Sequence, residues 1–595
     1  MAAPSIVVGV MGDFTSWRQA SYEVELPRGS EGSRPGEPKL VESRMSTIAL
    51  FSSLKESGEE PSLIVVAPET LAALNRWRRA GSSYEPIEEA RGLPDPVESL
   101  QGAEGYCPQV YTSFLGGLAG FLARWIRGEA SERGVEVEPS VSVAPAVGDY
   151  TYTPVEGPSS RRRARWLLRG PQGLSPFSLF ASTALLAVLR GLLRAGERAG
   201  EEGLVRLYVD LTHGVNYTST ALYRAALAAA RIYSLASGSR VLLAVYNSDP
   251  YPRGGGAVEK PVLKLWLIRE ETVSPSAAAS RAFYMTLLPH LRGTSRGVLA
   301  FKLGSAPEYC KRYNGDNKNN ECVKLYRIFN GELRGYERGI GGRVNYRDYT
   351  VMASVAVFYG LPLLLLQAGG AFLEASGVGE KSSILEGLVG VLERAPHLLC
   401  LKPDADSVEV ARLGGLDFDH TRALLALAAY ADYAQSVYAA LKTSGEAFWE
   451  SWDAQARAPG RAVASIRALK ELVERLPGPN YYIAKTEVSN LEEASKCNNI
   501  GRSELYERIC RAARSGKNQP APEGLRGFDE RTFTAHAGLS SGVVDVLAQW
   551  GGRGPALAYK KEVLLEGHDQ RGLTERAQSL ASRLAERLRG EPGGG

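Results

Sequence analysis

Six histidines occur in this chain of 595 residues, and two of them stand where a phosphate or a proton could be handled. The first is His213, in Leu207-Tyr-Val-Asp-Leu-Thr-His-Gly-Val-Asn-Tyr-Thr-Ser219, where an apolar strand gives way to polar residues before a helix opens near Thr218. In an open α/β sheet the carboxyl ends of parallel strands feed the ligand crevice. Thr212, His213 and Asn216 can donate and accept hydrogen bonds there, and Gly214 lets backbone approach a ligand closely. The N-terminus of the following helix favours an anion. The same letters also spell an ordinary turn, with Asn216 and Thr218 capping the helix.

A second loop, Gly12-Asp-Phe-Thr-Ser-Trp17, follows the first apolar run and leaves Trp17 to stack on a ligand or to pack. It has no G-x-G-x-x-G and no Walker lysine, so neither a dinucleotide cofactor nor ATP hydrolysis is indicated. Asp13 would repel a bare pyrophosphate. The two loops suit a nucleotide-like ligand read by hydrogen bonds. No zincin or EF-hand pattern occurs, and Asp417, Asp419 and His420 read as a helix cap, so no metal or cofactor is expected.

The second histidine is His536, in Arg531-Thr-Phe-Thr-Ala-His536. On a helix the arginine and histidine lie about a turn and a half apart. Arginine matches a phosphate in a bidentate manner, and histidine shuttles protons near neutral pH. That pair suffices to cleave RNA without metal, because the 2′-hydroxyl is the nucleophile. The spacing alone is a weak signal: Arg206 lies a similar distance before His213, but on a strand. Arg502, Arg508, Arg511, Arg514, Lys517 and Arg526 form a basic run that suits either an RNA backbone or a solvated helix face.

These residues need positioning elements. Ile6–Val10, Leu63–Ala67, Val135–Val143, Leu204–Val209, Val241–Tyr246 and Val262–Ile268 read as strands, several of them unbroken apolar runs buried on both faces of a parallel sheet. Met45–Ser53, Phe177–Leu193 and Thr218–Ala236 read as helices between them, the rhythm of a doubly wound, Rossmann-like α/β domain over residues 1–274. Residues 275–349 form a connector or insertion, with many tyrosines among Lys and Arg. These would suit either stacking on single-stranded RNA or a small cluster of their own. From residue 350 to 595 the spacing is helical, with scarcely a strand signal. Ile384–Leu392, His420–Leu441, Arg461–Leu476 and a last helix through Leu573, Leu580, Leu584 and Leu588 mark an all-α domain.

Composition sets the bounds. At 44 % hydrophobic and 23 % charged residues, disorder, collagen and a disulfide miniprotein are excluded. The net charge of +4 leaves nucleic-acid binding to local patches. None of the six cysteines forms a C-x-x-C pair, which excludes a zinc ribbon and a thioredoxin-like site. Cys310 and Cys322, and Cys497 and Cys510, are either reduced thiols or two loop staples. No secretory signal leads the chain, and the uncharged Val351–Leu373 is broken by Gly360 and Pro362, as in two packed core helices. A cytoplasmic protein without a membrane span is expected.

Val209-Asp-Leu-Thr-His-Gly-Val-Asn216 resembles the D-x-T-H-G-x-N signature of CRISPR-associated Rossmann-fold (CARF) sensor domains, and Gly12-Asp13 and Ser43 resemble that family's ligand loops. Arg531 to His536, followed by Ala-Gly-Leu539, is similar to the R-x4-H-x-G-L element of HEPN ribonucleases. Together they resemble the Csx-type accessory ribonucleases of type III CRISPR systems. The resemblance implies a metal-independent endoribonuclease acting on single-stranded RNA and switched on by cyclic oligoadenylate, most often cyclic tetra-adenylate. Gly12, Asp13, Ser43, Thr212, His213, Gly214 and Asn216 would bind that ligand, and Arg531 and His536 would be catalytic. It also implies at least a homodimer, with a hexamer of three dimers as the larger form. Thr532 stands where the family usually has Asn, and the chain is longer than many relatives. Two further readings stay open: a ligand-sensing regulator without catalysis, and a sensor that also degrades its cyclic ligand.

Overall fold

A computed structural model describes residues 3–27, 39–101, 108–170, 174–199, 203–214, 217–251, 260–279, 301–304, 321–341, 346–375, 383–451, 460–476, 481–498, 503–520, 534, 536–541, 543–548, 554–564, 577 and 580. The chain begins with β1 (Ser5–Val10), β2 (Ala20–Val24), β3 (Lys39–Ser43), α1 (Ser46–Glu56), β4 (Pro61–Pro68), a hairpin of β5 (Trp77–Ala80) and β6 (Ser83–Pro86), α2 (Pro96–Leu100) and α3 (Pro108–Ser131). Next come β7 (Ser140–Ala144), β8 (Gly148–Tyr152), β9 (Arg162–Leu168), α4 (Pro176–Gly196), β10 (Leu204–Asp210), α5 (Tyr217–Ser237), β11 (Arg240–Ser248) and β12 (Val262–Val273).

Eight of these strands form one sheet in the order β3-β2-β12-β11-β10-β1-β4-β7. Every residue of β1 is buried, as a central parallel strand requires. Alternation divides its side chains: Ile6, Val8 and Val10 join the core under α4 and α5, while Val7 joins the core under α1 and α3. From β11 through β10, β1 and β4 to β7 the neighbours are parallel. The expectation of a wholly parallel sheet needs correction at the other edge. There β12 hairpins back antiparallel on β11, and β3 is antiparallel to β2. Parallel neighbours require a crossover, which a direct return does not supply. The sheet is therefore mixed.

The second half contains β13 (Phe301–Leu303), α6 (Glu321–Gly341), α7 (Tyr346–Tyr359), α8 (Pro362–Gly370), α9 (Ile384–Glu393), β14 (Leu399–Pro403), β15 (Ser407–Arg412), β16 (Gly414–Leu416) and α10 (Phe418–Thr443). It continues through β17 (Ala447–Ser451), β18 (Gly460–Ser465), α11 (Ile466–Arg475), α12 (Tyr481–Ser495), α13 (Glu504–Ser515), β19 (Val544–Leu547) and β20 (Ala556–Tyr559). Helices dominate, but this half is not all-α. Strands β17-β18-β20-β19 form an antiparallel sheet, and Arg461–Ser465, expected to be helical, lies in β18. The helix starts only where Ser465 caps the Ala468 amide. Val351–Leu373 falls in α7, α8 and the π turn that follows, all buried, with Gly360 at φ 66° between the two helices. The long apolar helix α4 also spends its surface inside, against the sheet, α5 and α10.

The two halves share structure. β9 pairs in parallel with β15, so the sheet β14-β15-β9-β8 takes two strands from each half. Beside it the guanidinium of Arg412 donates to Glu69 Oε2 at 2.9 Å, with both side chains almost fully buried. Cys497 and Cys510 form a disulfide between α12 and α13. Of the other suggested staple, Cys310 lies outside the described residues, and Cys322 is buried with its sulfur 3.9 Å from the Leu399 carbonyl.

Candidate functional site

Asp210 ends β10 and is 1 % exposed. Its carboxylate accepts four hydrogen bonds: from Ser46 Oγ at 2.5 Å, Thr47 Oγ1 at 2.6 Å, the Thr212 amide at 3.0 Å and Thr212 Oγ1 at 2.6 Å. One side chain thus ties the start of α1 to the turn after β10. Gly9 makes the approach possible, since a Cβ there would lie 2.3 Å from Thr47 Oγ1. Thr212 passes the connection on by accepting the Ser248 amide at 3.0 Å, which fixes the end of β11.

His213 sits on this framework. Its Nε2 accepts the Ser46 amide at 2.9 Å, and its ring lies 4.0 Å from that of Trp17. An acceptor at Nε2 puts the proton on Nδ1. Burial pulls its pKa down to about 4, against the opposing pull of Asp210. The imidazole is therefore neutral at neutral pH and offers one N–H donor.

A cavity of about 530 Å³ opens here, lined among others by Trp17, Arg18, Tyr22, Arg44, Thr212, His213, Asn247, Asp249 and Tyr251. It lies at the carboxyl ends of β10 and β11, where the sheet topology places a ligand crevice. Arg44 is held by Glu89 at 2.9 Å and by the buried Glu129, and it rests on the Trp125 ring. Arg18 is exposed, and among the described residues it makes no salt bridge. Asp249 accepts from Trp266 Nε1 at 2.9 Å and from the Lys264 amide at 3.0 Å, and the Trp266 bond leads in holding its pKa below the ordinary carboxylate value. Aromatic walls, the exposed cation of Arg18 and hydroxyl and amide groups suit a base with its phosphate.

Of the expected ligand residues, Thr212 and His213 line this cavity. Gly12, Asp13 and Ser43 stand behind the wall. Asp13 caps the turn Phe14–Ser16 through the Thr15 amide at 3.1 Å, and Ser43 Oγ, fully buried, receives the Met45 amide at 3.0 Å. At Gly214 a Cβ would lie 1.7 Å from Ser219 Oγ, so the turn packs closely on the start of α5. Asn216 lies outside the described residues. Asp210, Arg44, Asn247 and Tyr251 went unmarked. Only Asp210 had a sequence signal, as the acidic letter of the signature.

In the second half, Arg531 lies outside the described residues. His536 lies in a turn rather than along a helix, with Ala537 and Gly538 following at φ 47° and 77°. Its Nδ1 is 3.2 Å from Glu487 Oε1 on α12, an oxygen that also receives Tyr506 Oη at 2.9 Å. The imidazole is 47 % exposed, and its Nδ1 is the nitrogen turned to Glu487. Within the basic run, Arg508 is a buried tie that donates to the Ser541 and Val544 carbonyls at 2.9 and 2.8 Å. Arg511, Arg514 and Lys517 remain exposed. Asp417 caps α10, as expected, and accepts from Lys302 at 2.9 Å.

The buried histidines make stability pH-dependent. Burial also lowers the pKa of His397, to about 3, with Arg412 adding to the effect. Unfolded, both rings titrate near 6.5. Between about pH 6.5 and pH 4 the unfolded chain therefore binds protons that the folded chain refuses, and stability falls as pH falls. Melting temperature should drop across this window, and less steeply in His397→Gln; equal slopes would remove His397 from the effect.

A family model described as "CRISPR system endoribonuclease Csx1, CARF domain" matches residues 6–250. No curated protein matches the chain. The match supports a CRISPR protein with a CARF domain, and the eight-stranded sheet with helices on both faces fits the Rossmann-like architecture of that domain. It ends before the second half begins.

Proposed function

We propose that this chain senses cyclic oligoadenylate in type III CRISPR defence and answers by cutting single-stranded RNA, in the cytoplasm. The observation that carries the reading is the cavity holding Thr212 and His213 inside the matched CARF stretch. A ring of four adenylates is larger than a cavity of about 530 Å³. Two chains facing each other across a two-fold axis would share such a ring, which favours a homodimer as the working unit.

The cutting step belongs to Arg531 and His536 from two copies. Glu487 receives the Nδ1 proton of His536 and leaves Nε2 to take the proton of the RNA 2′-hydroxyl. That oxygen attacks the adjacent phosphorus, the bond to the 5′-oxygen breaks as the His536 imidazolium gives that oxygen a proton, and Arg531 stabilises the charge on the phosphorane. No metal enters this scheme. The test is purified protein with labelled single-stranded RNA, EDTA and each cyclic oligoadenylate in turn. Cleavage should appear only with a cyclic oligoadenylate and should persist in EDTA. Ligand binding without cleavage would leave a sensor that regulates without cutting.

A further inference from the structure

Helix α6 faces two ways. Cys322, Phe329, Leu333 and Ile340 are buried against the rest of the second half, where α6 packs on α7 and α9. On the opposite side Lys324, Arg327, Arg334 and Arg338 are all exposed. At 3.6 residues per turn these four cations fall within about 80° of arc and extend over about 21 Å of helix. Among the described residues none of the four enters a salt bridge, whereas the flanking Glu332 is taken by Arg394 at 2.5 Å. Gly331 lies between the cations on the same arc, Gly335 lies beside it, and a Cβ at either would meet nothing within 4 Å. The backbone is thus bare where the charges converge.

We infer that this face of α6 binds the phosphate backbone of RNA, by charge and without reading sequence. The polyanion's identity rests on the proposed ribonuclease function; the face itself rests on the geometry above. Stacking is not available, because the tyrosines of α6 turn inward. Tyr326 packs 6.1 Å from the Phe301 ring, and Tyr336 donates to the Ile384 carbonyl. A membrane-surface helix inserts its apolar face into lipid, and here that face is spent in the core. A protein partner would be met by aromatic anchors, whereas the exposed large apolar side chain among the described residues of α6 is Ile328, about 40° outside this arc.

The test is fluorescence anisotropy with a labelled oligouridylate of about 20 nucleotides, over a salt series, on the full chain carrying His536→Ala so that the RNA stays intact. Replacing Lys324, Arg327, Arg334 and Arg338 with Gln should weaken binding at least about tenfold at low salt and make the log–log salt slope shallower by about 3. The double variant Arg334→Gln/Arg338→Gln should give about half that change in slope. Unchanged affinity and slope in both variants, with the parent chain binding RNA, would overturn the inference and leave the ribonuclease reading standing. A parent chain that binds no RNA at any salt would overturn both. Loss of binding to phosphatidylserine vesicles with RNA binding intact would assign the face to a membrane instead.

Discussion

Asp210→Ala should cost on the order of 3 kcal/mol in stability and weaken cyclic oligoadenylate binding at least about tenfold, because four donors lose one buried acceptor. Three of those donors are hydroxyls, and those of Ser46 and Thr47 are fully buried. The loss would free the start of α1 from the turn after β10, and with it the Ser46 amide that holds His213. Asp210→Asn should lose far less. Its carbonyl can still receive both Thr212 donors, and the Ser46 and Thr47 hydroxyls can rotate to accept from its amide. Chemical denaturation and calorimetry on the two variants provide the check. Equal effects from Ala and Asn would mean that charge, not the acceptor count, sets the role of Asp210. An Ala variant that binds normally would remove Asp210 from the site.

The other large effect concerns cleavage. His536→Ala and Arg531→Ala should each abolish RNA cutting, a loss of at least about 10²-fold, while ligand binding stays at the wild-type level. The wild-type products should carry 2′,3′-cyclic phosphate and 5′-hydroxyl ends, and DNA of the same sequence should resist. Glu487→Gln separates orientation from chemistry. Its carbonyl can still receive the Nδ1 proton, so product ends should be unchanged, but the imidazolium formed during proton transfer loses its countercharge and turnover should fall. Mapping product ends and comparing kcat with KM would show it. Wild-type cutting by both His536→Ala and Arg531→Ala would reduce His536 to a surface histidine beside an acid.

The strands that could be read in advance are those whose burial is continuous. Ile6–Val10, Leu63–Ala67, Leu207–Val209 and Leu243–Tyr246 are runs buried throughout in the interior strands of the sheet. β9 was not legible: in Arg162-Arg-Ala-Arg-Trp-Leu-Leu168 only Ala164 and Trp166 are buried, and its neighbour β15 comes about 240 residues later. The site divides in the same way. Thr212 and His213 follow a strand end and announce themselves. Arg44, Asn247 and Tyr251 reach the cavity only when the sheet closes, and the contact of His536 with Glu487 spans 49 positions. Asp210 stood in plain view, but its hold on α1 is visible only in three dimensions.

The parallel pairing of β9 with β15 bears on how such a protein can be inherited. A sensor module that passes between genes as a cassette must leave its donor without tearing a sheet. Here a break near residue 274 would strip β9 of its parallel neighbour and expose a strand edge carrying Arg163 and Arg165, which now face Glu409 and Asp149 across the sheet. A recipient would need its own strand, in register and acidic at the matching positions, to accept the graft. The two halves of this chain are therefore bound to diversify together, each new loop on one side constrained by the strand it shares with the other.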